Sequence, residues 1–339
     1  MLYNAPSHQH EFNIEDKDFG TVDLLLPTSH DERVTHYGLQ GLATNVVPVT
    51  SESLTKKYPN IQNGMVAKIF LGEASCTSEP KILEKVEGIA KEHESAKGHI
   101  PELLWHHTFT NPMSAVREAL GVSEPTTGSR VLYIPLLDVW RQCIFCHITL
   151  WKKGVHHRDV SPANLMWYEK DGKLIGVLYD YDLSSLVDEP GSQGNECTGT
   201  VPFMARDLLT EEGQRGEVKH MYRHVLESFI WCFAWISLRY KEGVLRPRGS
   251  RPFDEWATLD AVACGNSKLT LQTDKTVPAC TYKDDPGWQF IRKCLFVLAR
   301  RQFLRSEKAE LTQESESESD MDEFLASLEC TGGWAKLSN

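Results

Sequence analysis

One segment limits what this chain can fold into more than any other: His156-His157-Arg158-Asp159-Val160-Ser161-Pro162-Ala163-Asn164-Leu165-Met166. It follows an apolar-periodic stretch from Asp138 to Lys152 that ends at Gly154, the pattern of a helix with its stop signal. It precedes two short apolar runs, Asn164–Tyr168 and Leu174–Leu178, separated by Asp171-Gly172. Asp-Gly between alternating apolar runs signals a tight hairpin. The segment therefore belongs on a loop between a helix and a hairpin. A carboxylate (Asp159) with an amide (Asn164) further along the same loop suits phosphoryl transfer, in which one group accepts a hydroxyl proton and another ligates Mg²⁺. Alone, the segment also fits an Asn/Asp-rich loop that makes its own turn hydrogen bonds.

A second element makes the chemical reading stronger. Val177-Leu178-Tyr179-Asp180-Tyr181-Asp182-Leu183 ends an apolar strand with two carboxylates around an aromatic ring. The hairpin would bring Asp180 beside Asn164, and Mg²⁺ prefers such hard oxygen donors together with substrate phosphates. Upstream, Met65-Val66-Ala67-Lys68-Ile69-Phe70 has the short apolar character of a buried strand, with Gly38 and Gly41 punctuating the β-rich stretch before it. Residues 77–93 then read as a helix, with Pro80 in its first turn. At ~100° per residue, Glu79 falls on the same face as Leu83, Val86 and Ala90. An acid on an apolar face needs a partner, and Lys68 is the natural one, although a strand lysine more commonly points to solvent.

In order, these elements resemble the eukaryotic protein-kinase superfamily, and within it the fungal-type protein kinase domain family. The wording that carries the likeness is HHRDVSPANLM, GVLYDYDLSSL, GTVPFMARDLL and YRHVLESFIW, within a span from about Tyr37 to Tyr240. The resemblance implies an α+β, bilobal protein-kinase-like fold: a small β-rich N-lobe with one main helix, and a larger helical C-lobe. It implies ATP and Mg²⁺ as cofactors and a protein as substrate. Asp159 would be the catalytic base, with Arg158 beside it in the motif. Asn164 and Asp180 would be metal ligands, Lys68 the phosphate contact and Glu79 its partner. Gly38 and Gly41 would cover the nucleotide. Thr200, Pro202 and Phe203 would belong to the segment where the substrate peptide docks.

The departures from the family pattern point to a second reading, a kinase-shaped binding module with little transfer activity. The glycine-rich loop has two glycines rather than three. Ser161 stands where many Ser/Thr kinases carry a lysine, and Asp182 and Tyr181 replace the usual Gly and Phe. Val225 stands where an Asp usually braces the catalytic loop, and an apolar side chain cannot accept those backbone hydrogen bonds. The stretch from Val131 to Asp138 is short for a hinge. A small-molecule kinase of similar fold is the third reading, and the peptide-docking wording of Gly199–Ala205 argues against it.

Composition sets the outer limits. With 41% apolar and 24% charged residues, the 339-residue chain is of globular type. Its net charge of −11 does not suggest a nucleic-acid binder, which shows a basic face. Glu314, Glu316, Glu318, Asp320, Asp322 and Glu323, interleaved with serines, supply more than half of that excess and read as a disordered tail. No apolar run is long enough for a membrane helix. The first twenty residues lack a basic-then-apolar leader pattern, so an intracellular chain is expected, with no membrane partner. Nine cysteines at irregular spacings read as reduced thiols. Cys143-Ile-Phe-Cys146-His147 formally matches a haem-attachment pattern, but two small core residues one turn apart is the preferred reading. The expected organisation is a poorly ordered arm over 1–30, an N-lobe over 31–135, a C-lobe over 136–310 and the acidic tail over 311–339.

Overall fold

In a computed structural model of the chain, the residues described are 2–4, 9–27, 34–35, 45–59, 64–69, 78–106, 136–187, 199–241, 244–274, 278, 280, 281, 283 and 285–309. Gly38, Gly41, the 131–135 stretch and the acidic tail lie outside them. Contacts divide the chain into two units, residues 1–78 with 103–127, and residues 79–102 with 128–339. Both units mix helices with antiparallel strands.

The first unit opens with three strands, β1 (Leu2–Asn4), β2 (Gln9–Asp16) and β3 (Gly20–Pro27), in the order β1-β2-β3. This corrects the expectation of an irregular arm over 1–30. The cause is a period-two pattern on both sides of a tight turn. His10, Phe12 and Ile14 pair with Leu26, Leu24 and Val22, so one face collects the apolar side chains. Asp16 Oδ1 accepts from the N–H groups of Asp18 and Phe19 at 2.9 and 3.0 Å, closing the turn. A second sheet has the order β4 (Val34–Thr35), β5 (Asn45–Val49), β6 (Met65–Ile69). Leu26, Val47 and Val49 form the core between the sheets, with Phe12, Leu24, Met65 and Ala67 packed on it. The short helix α1 (Glu52–Lys57) was not foreseen in the sequence. Ser51 caps it by accepting the Leu54 N–H at 3.1 Å, and Asp23 accepts the N–H groups of Glu52 and Ser53 at 2.7 and 2.8 Å. Burial pushes the Asp23 carboxyl up, but these bonds and the Ser53 side chain outweigh it and hold its pKa at about 2.

The second unit begins with α2 (Glu79–Glu92), whose apolar face buries Ile82, Leu83, Val86, Ile89 and Ala90. The division thus departs from the expected break at 135, because the residues after α2 are bonded into the larger unit. His99 O accepts the Leu178 N–H at 3.0 Å, His99 Nδ1 lies 2.7 Å from Gly176 O, and Ser95 Oγ lies 2.6 Å from Thr149 Oγ1. Next come α3 (Leu136–Lys152), β7 (Val155–His156), the hairpin β8 (Leu165–Lys170)–β9 (Lys173–Leu178), and β10 (Ser185–Leu186), which pairs with β7. The hairpin turn is the expected Asp171-Gly172, with φ of 53° and 71°, the left-handed pair such a turn requires. Gly176 lets β9 lie against α3: a Cβ there would stand 2.6 Å from Val139 O. Gln142 brackets that approach, donating to Leu174 O at 3.1 Å and accepting the Gly176 N–H at 2.9 Å.

After the short α4 (Glu211–Gln214) comes α5 (Tyr222–Arg239), buried over most of its circumference, as a helix apolar on every face must be. It carries Phe229, Ile230, Trp231, Cys232 and Phe233 into one core with Trp140, Trp256, Phe290 and Ile291. The β11 (Tyr240–Lys241)–β12 (Val244–Leu245) ribbon follows, then α6 (Ala261–Thr273) and α7 (Pro286–Ala309). Among the described residues, no helix is long and apolar enough to cross a membrane.

Candidate functional site

The loop after β7 is shaped by its own backbone. Arg158 has φ of 67° and Asp180 of 68°, left-handed values that non-glycine residues adopt only under constraint. The constraint is visible. Asn164 O accepts the Tyr179 N–H at 2.8 Å, so the hairpin begins by joining the two motif segments. His157 Nε2 donates to Tyr179 O at 2.9 Å, and Ser184 Oγ donates to His157 O at 3.2 Å. Asn164 is buried, and its Nδ2 donates to Asp159 O at 2.9 Å and to Asp159 Oδ2 at 3.2 Å. The amide nitrogen is thus committed to Asp159, and Oδ1 is the side chain's hard oxygen donor.

Asp180 lies with two other acids. Glu79, Asp180 and Asp182 each place a carboxylate oxygen within 4.8 Å of the others. Glu79 is buried at the start of α2, and its Oε1 accepts the Tyr181 N–H at 2.9 Å. Tyr181 is itself fully buried, its ring edge-on to His157 with centroids 4.8 Å apart. Burial pushes the phenol well above its ordinary pKa, with Cys146, Cys143 and Glu79 adding to the effect, so it stays neutral. Asp182, the second carboxylate of this strand end in the sequence, stands where the kinase pattern has glycine and is not among the residues expected to hold a metal. Its signal was there: a second carboxylate in the same turn as Asp180.

Thr200 is exposed and bonded to Asp159 twice: its N–H and its Oγ1 both donate to Asp159 Oδ1 at 2.9 Å. Its two companions differ. Pro202 and Phe203, expected to touch substrate, are buried in a 3₁₀ turn, Val201–Phe203. Phe203 belongs to the core and packs edge-on to Trp235 at 5.2 Å. Their apolar surface is worth more inside than against a ligand. They pack beneath the segment that Thr200 begins. Asp207, further along, lies 3.5 Å from Arg223 Nε and 3.4 Å from His224 Nε2.

Of the other expected residues, Lys68 lies in the first unit on β6, half-buried and opposite Val46. Ser161 is buried, and Val225 is buried in α5. Below the loop, Cys232 of α5 presents its thiol to Val160 O at 3.6 Å. Cys143 and Cys146 are buried in α3, and burial pushes the Cys143 thiol up to about 12.

Histidines pack behind the loop. His156 stacks on Trp151 with centroids 3.6 Å apart, and burial, then Arg158 and Lys219, lowers its pKa to about 4. His220 is half-buried as a residue but its Nδ1 is enclosed. Burial, then His224, Arg158 and His156, lowers it to about 3.

Residues 133–237, which include Asp159, Asn164, Asp180 and Thr200, match the family described as fungal protein kinase. Among curated proteins, the chain is similar to CDPK-related kinase 8 of Arabidopsis thaliana, 23% identical over 180 residues, covering 51% of this chain and 24% of that protein. It is also similar to serine/threonine-protein kinase PkaA of Streptomyces coelicolor, 26% identical over 145 residues, covering 42% of this chain and 22% of that protein. Against CDPK-related protein kinase of Daucus carota it is 25% identical over 160 residues, covering 47% and 21%. The aligned part therefore spans less than a quarter of the length of these relatives. Among solved structures, the PK-1 kinase of Cydia pomonella granulovirus matches with a TM-score of 0.42 and 13% identity, over 78% of this chain and 87% of that one.

Proposed function

We propose that this chain, a fungal protein kinase over its matched segment, transfers the γ-phosphate of Mg-ATP to a Ser or Thr hydroxyl of a protein. The observation that carries the reading is the triangle of Asp159, Asn164 and Thr200. One carboxylate is held by the Asn164 amide on one oxygen and by the Thr200 segment on the other. A base fixed between a metal-ligand residue and a docking segment is what in-line phosphoryl transfer to a peptide needs.

The donor set fits Mg²⁺. Asn164 Oδ1 and the Asp180 carboxylate would hold the ion, and Glu79 and Asp182 lie close enough to Asp180 to complete a hard oxygen environment. When bound, Mg²⁺ would supply charge neutralisation at the phosphates. The protein's own part is orientation: Asp159 faces the acceptor hydroxyl and takes its proton at Oδ1 or Oδ2, and Thr200 keeps that carboxylate aimed. Localisation inside the cell accords with the many free cysteines among the described residues.

Two observations favour a second reading, a nucleotide- or partner-binding pseudokinase. Ser161 leaves no lysine charge at its place, and α5 offers the loop the apolar Val225 and the weak thiol donor Cys232 in place of an acid.

One experiment separates the readings. Thermal unfolding with and without Mg-ATP, beside radiolabelled transfer to dephosphorylated casein and histone, is run on wild type and Asp159→Asn. A thermal shift in both, with transfer only in wild type, supports the kinase. A shift without wild-type transfer supports the pseudokinase. No shift at all removes the nucleotide from the account.

A further inference from the structure

Lys268, on α6, has no exposed surface, an unusual place for a lysine. Its Nζ donates to Met204 O at 2.6 Å and to Val201 O at 3.3 Å. It also lies 5.2 Å from the ring centroid of Trp231 and 5.5 Å from that of Trp256, close enough for both faces to attract a cation. Both rings are themselves held: Trp231 Nε1 donates to Glu227 Oε1 at 3.1 Å and Trp256 Nε1 to Ser267 Oγ at 2.8 Å. Glu227 Oε1 also accepts the Arg206 N–H at 3.0 Å, so the same carboxylate fixes the chain just past Met204.

The two carbonyls that Lys268 holds stand at the ends of the turn Val201–Phe203. Thr200, the residue bonded to Asp159, comes immediately before it. Buried Pro202 and Phe203 supply packing, which is non-directional; the ammonium supplies a fixed point.

We propose that Lys268 is a positioning residue for the protein substrate: its ammonium clamps Val201 O and Met204 O and so fixes the segment that lays an acceptor hydroxyl against Asp159. This deepens the kinase reading above and rests on it. Burial draws the Lys268 pKa down to about 8, partly offset by Cys264, Glu227 and Cys232 and reinforced by Arg206, so the amine is mostly protonated at neutral pH.

Lys268→Met keeps a straight apolar chain between the two indoles and removes the donor. The variant is compared with wild type in three measurements: steady-state transfer from Mg-ATP to dephosphorylated casein, the Mg-ATP thermal shift, and backbone hydrogen exchange. The expected result is a casein KM raised about tenfold with the ATP KM and the nucleotide thermal shift unchanged, the effect of losing the charge-assisted anchor on both carbonyls. Exchange should quicken at residues 201–205 and not in the β8–β9 hairpin. An equal loss against casein and ATP, or unchanged exchange at 201–205, overturns the proposal. If wild type transfers to no acceptor, the kinase reading falls and the docking role with it, whereas the exchange data still show whether Lys268 holds the turn. Should Lys268→Met not fold, Trp256→Phe weakens the cation's seat while keeping a ring. A wild-type casein KM in that variant, with unchanged exchange at 201–205, also overturns the proposal.

Discussion

Asp159 Oδ1 accepts two hydrogen bonds from Thr200, one from the backbone N–H and one from Oγ1, each 2.9 Å long. On the kinase reading proposed above, a carboxylate that both activates an acceptor and grips the docking segment would couple the presence of substrate to the aim of the base. Thr200→Val should keep the backbone bond and lose the hydroxyl one. A bond to a charged group contributes about 1.5–3 kcal/mol, so kcat/KM for a protein acceptor should fall roughly 10- to 100-fold. Thr200→Ser should retain most of it. Equal activity in the Val and wild-type proteins would remove this bond from the mechanism.

Glu79 ties α2 to the turn after β9 through the Tyr181 N–H. Glu79→Gln leaves an acceptor oxygen in place and removes one of three clustered carboxylates. Its melting temperature should stay near wild type, while the Mg²⁺ concentration needed for half the nucleotide thermal shift rises severalfold. Glu79→Leu leaves a buried N–H unpaired and should cost about 1–3 kcal/mol in denaturant unfolding.

His147 has no exposed surface, and neither ring nitrogen has a hydrogen-bond partner among the described residues. Burial, then His157, His156 and His220, holds its pKa well below 6.5. The folded protein therefore keeps the ring neutral where the unfolded chain takes up a proton. Stability is full above about pH 6.5 and falls as pH drops toward the folded value, by about 1.4 kcal/mol per pH unit for each such histidine. Unfolding curves at about pH 7.5 and about pH 5.5 measure the fall. His147→Leu should remove one histidine's share of that slope and leave the shares of His156 and His220, and an equal slope in that variant would assign the acid sensitivity elsewhere.

Gly176→Ala should disturb the approach of β9 to α3, because its new Cβ would meet the backbone oxygen of Val139. Backbone cannot swing aside as a side chain can, so the expected loss is about 1–3 kcal/mol. Since β9 leads directly into Asp180, nucleotide affinity should fall with it. Gly172→Ala, with open space around its Cβ, provides the contrast, its cost being conformational alone.

The elements that carry the site were legible where local chemistry leaves one solution. Asp171-Gly172 specified the hairpin, the all-round apolar run from Glu227 specified a buried helix, and the hairpin placed Asp180 beside Asn164. The β2–β3 pair was harder to see because Glu11, Asn13 and Glu15 on the outer face mask the alternation of Phe12 and Ile14. Pro202 and Phe203 read as contacts because the motif places them near substrate; only packing shows which way they turn. Lys268 left no mark at all, since a lysine in a helix is ordinarily a solvated one and its Trp partners are distant in sequence.

The left-handed backbone at Arg158 and Asp180 also bears on how this protein could be engineered. Glycine at either position would relieve the torsion, and a library screened for heat resistance alone should drift toward it. On the proposed reading, a winner at Asp180 would be sturdier and chemically mute, because the side chain it gives up is one of the two that would hold the metal. Directed evolution of this chain therefore has to select for turnover and robustness in the same round.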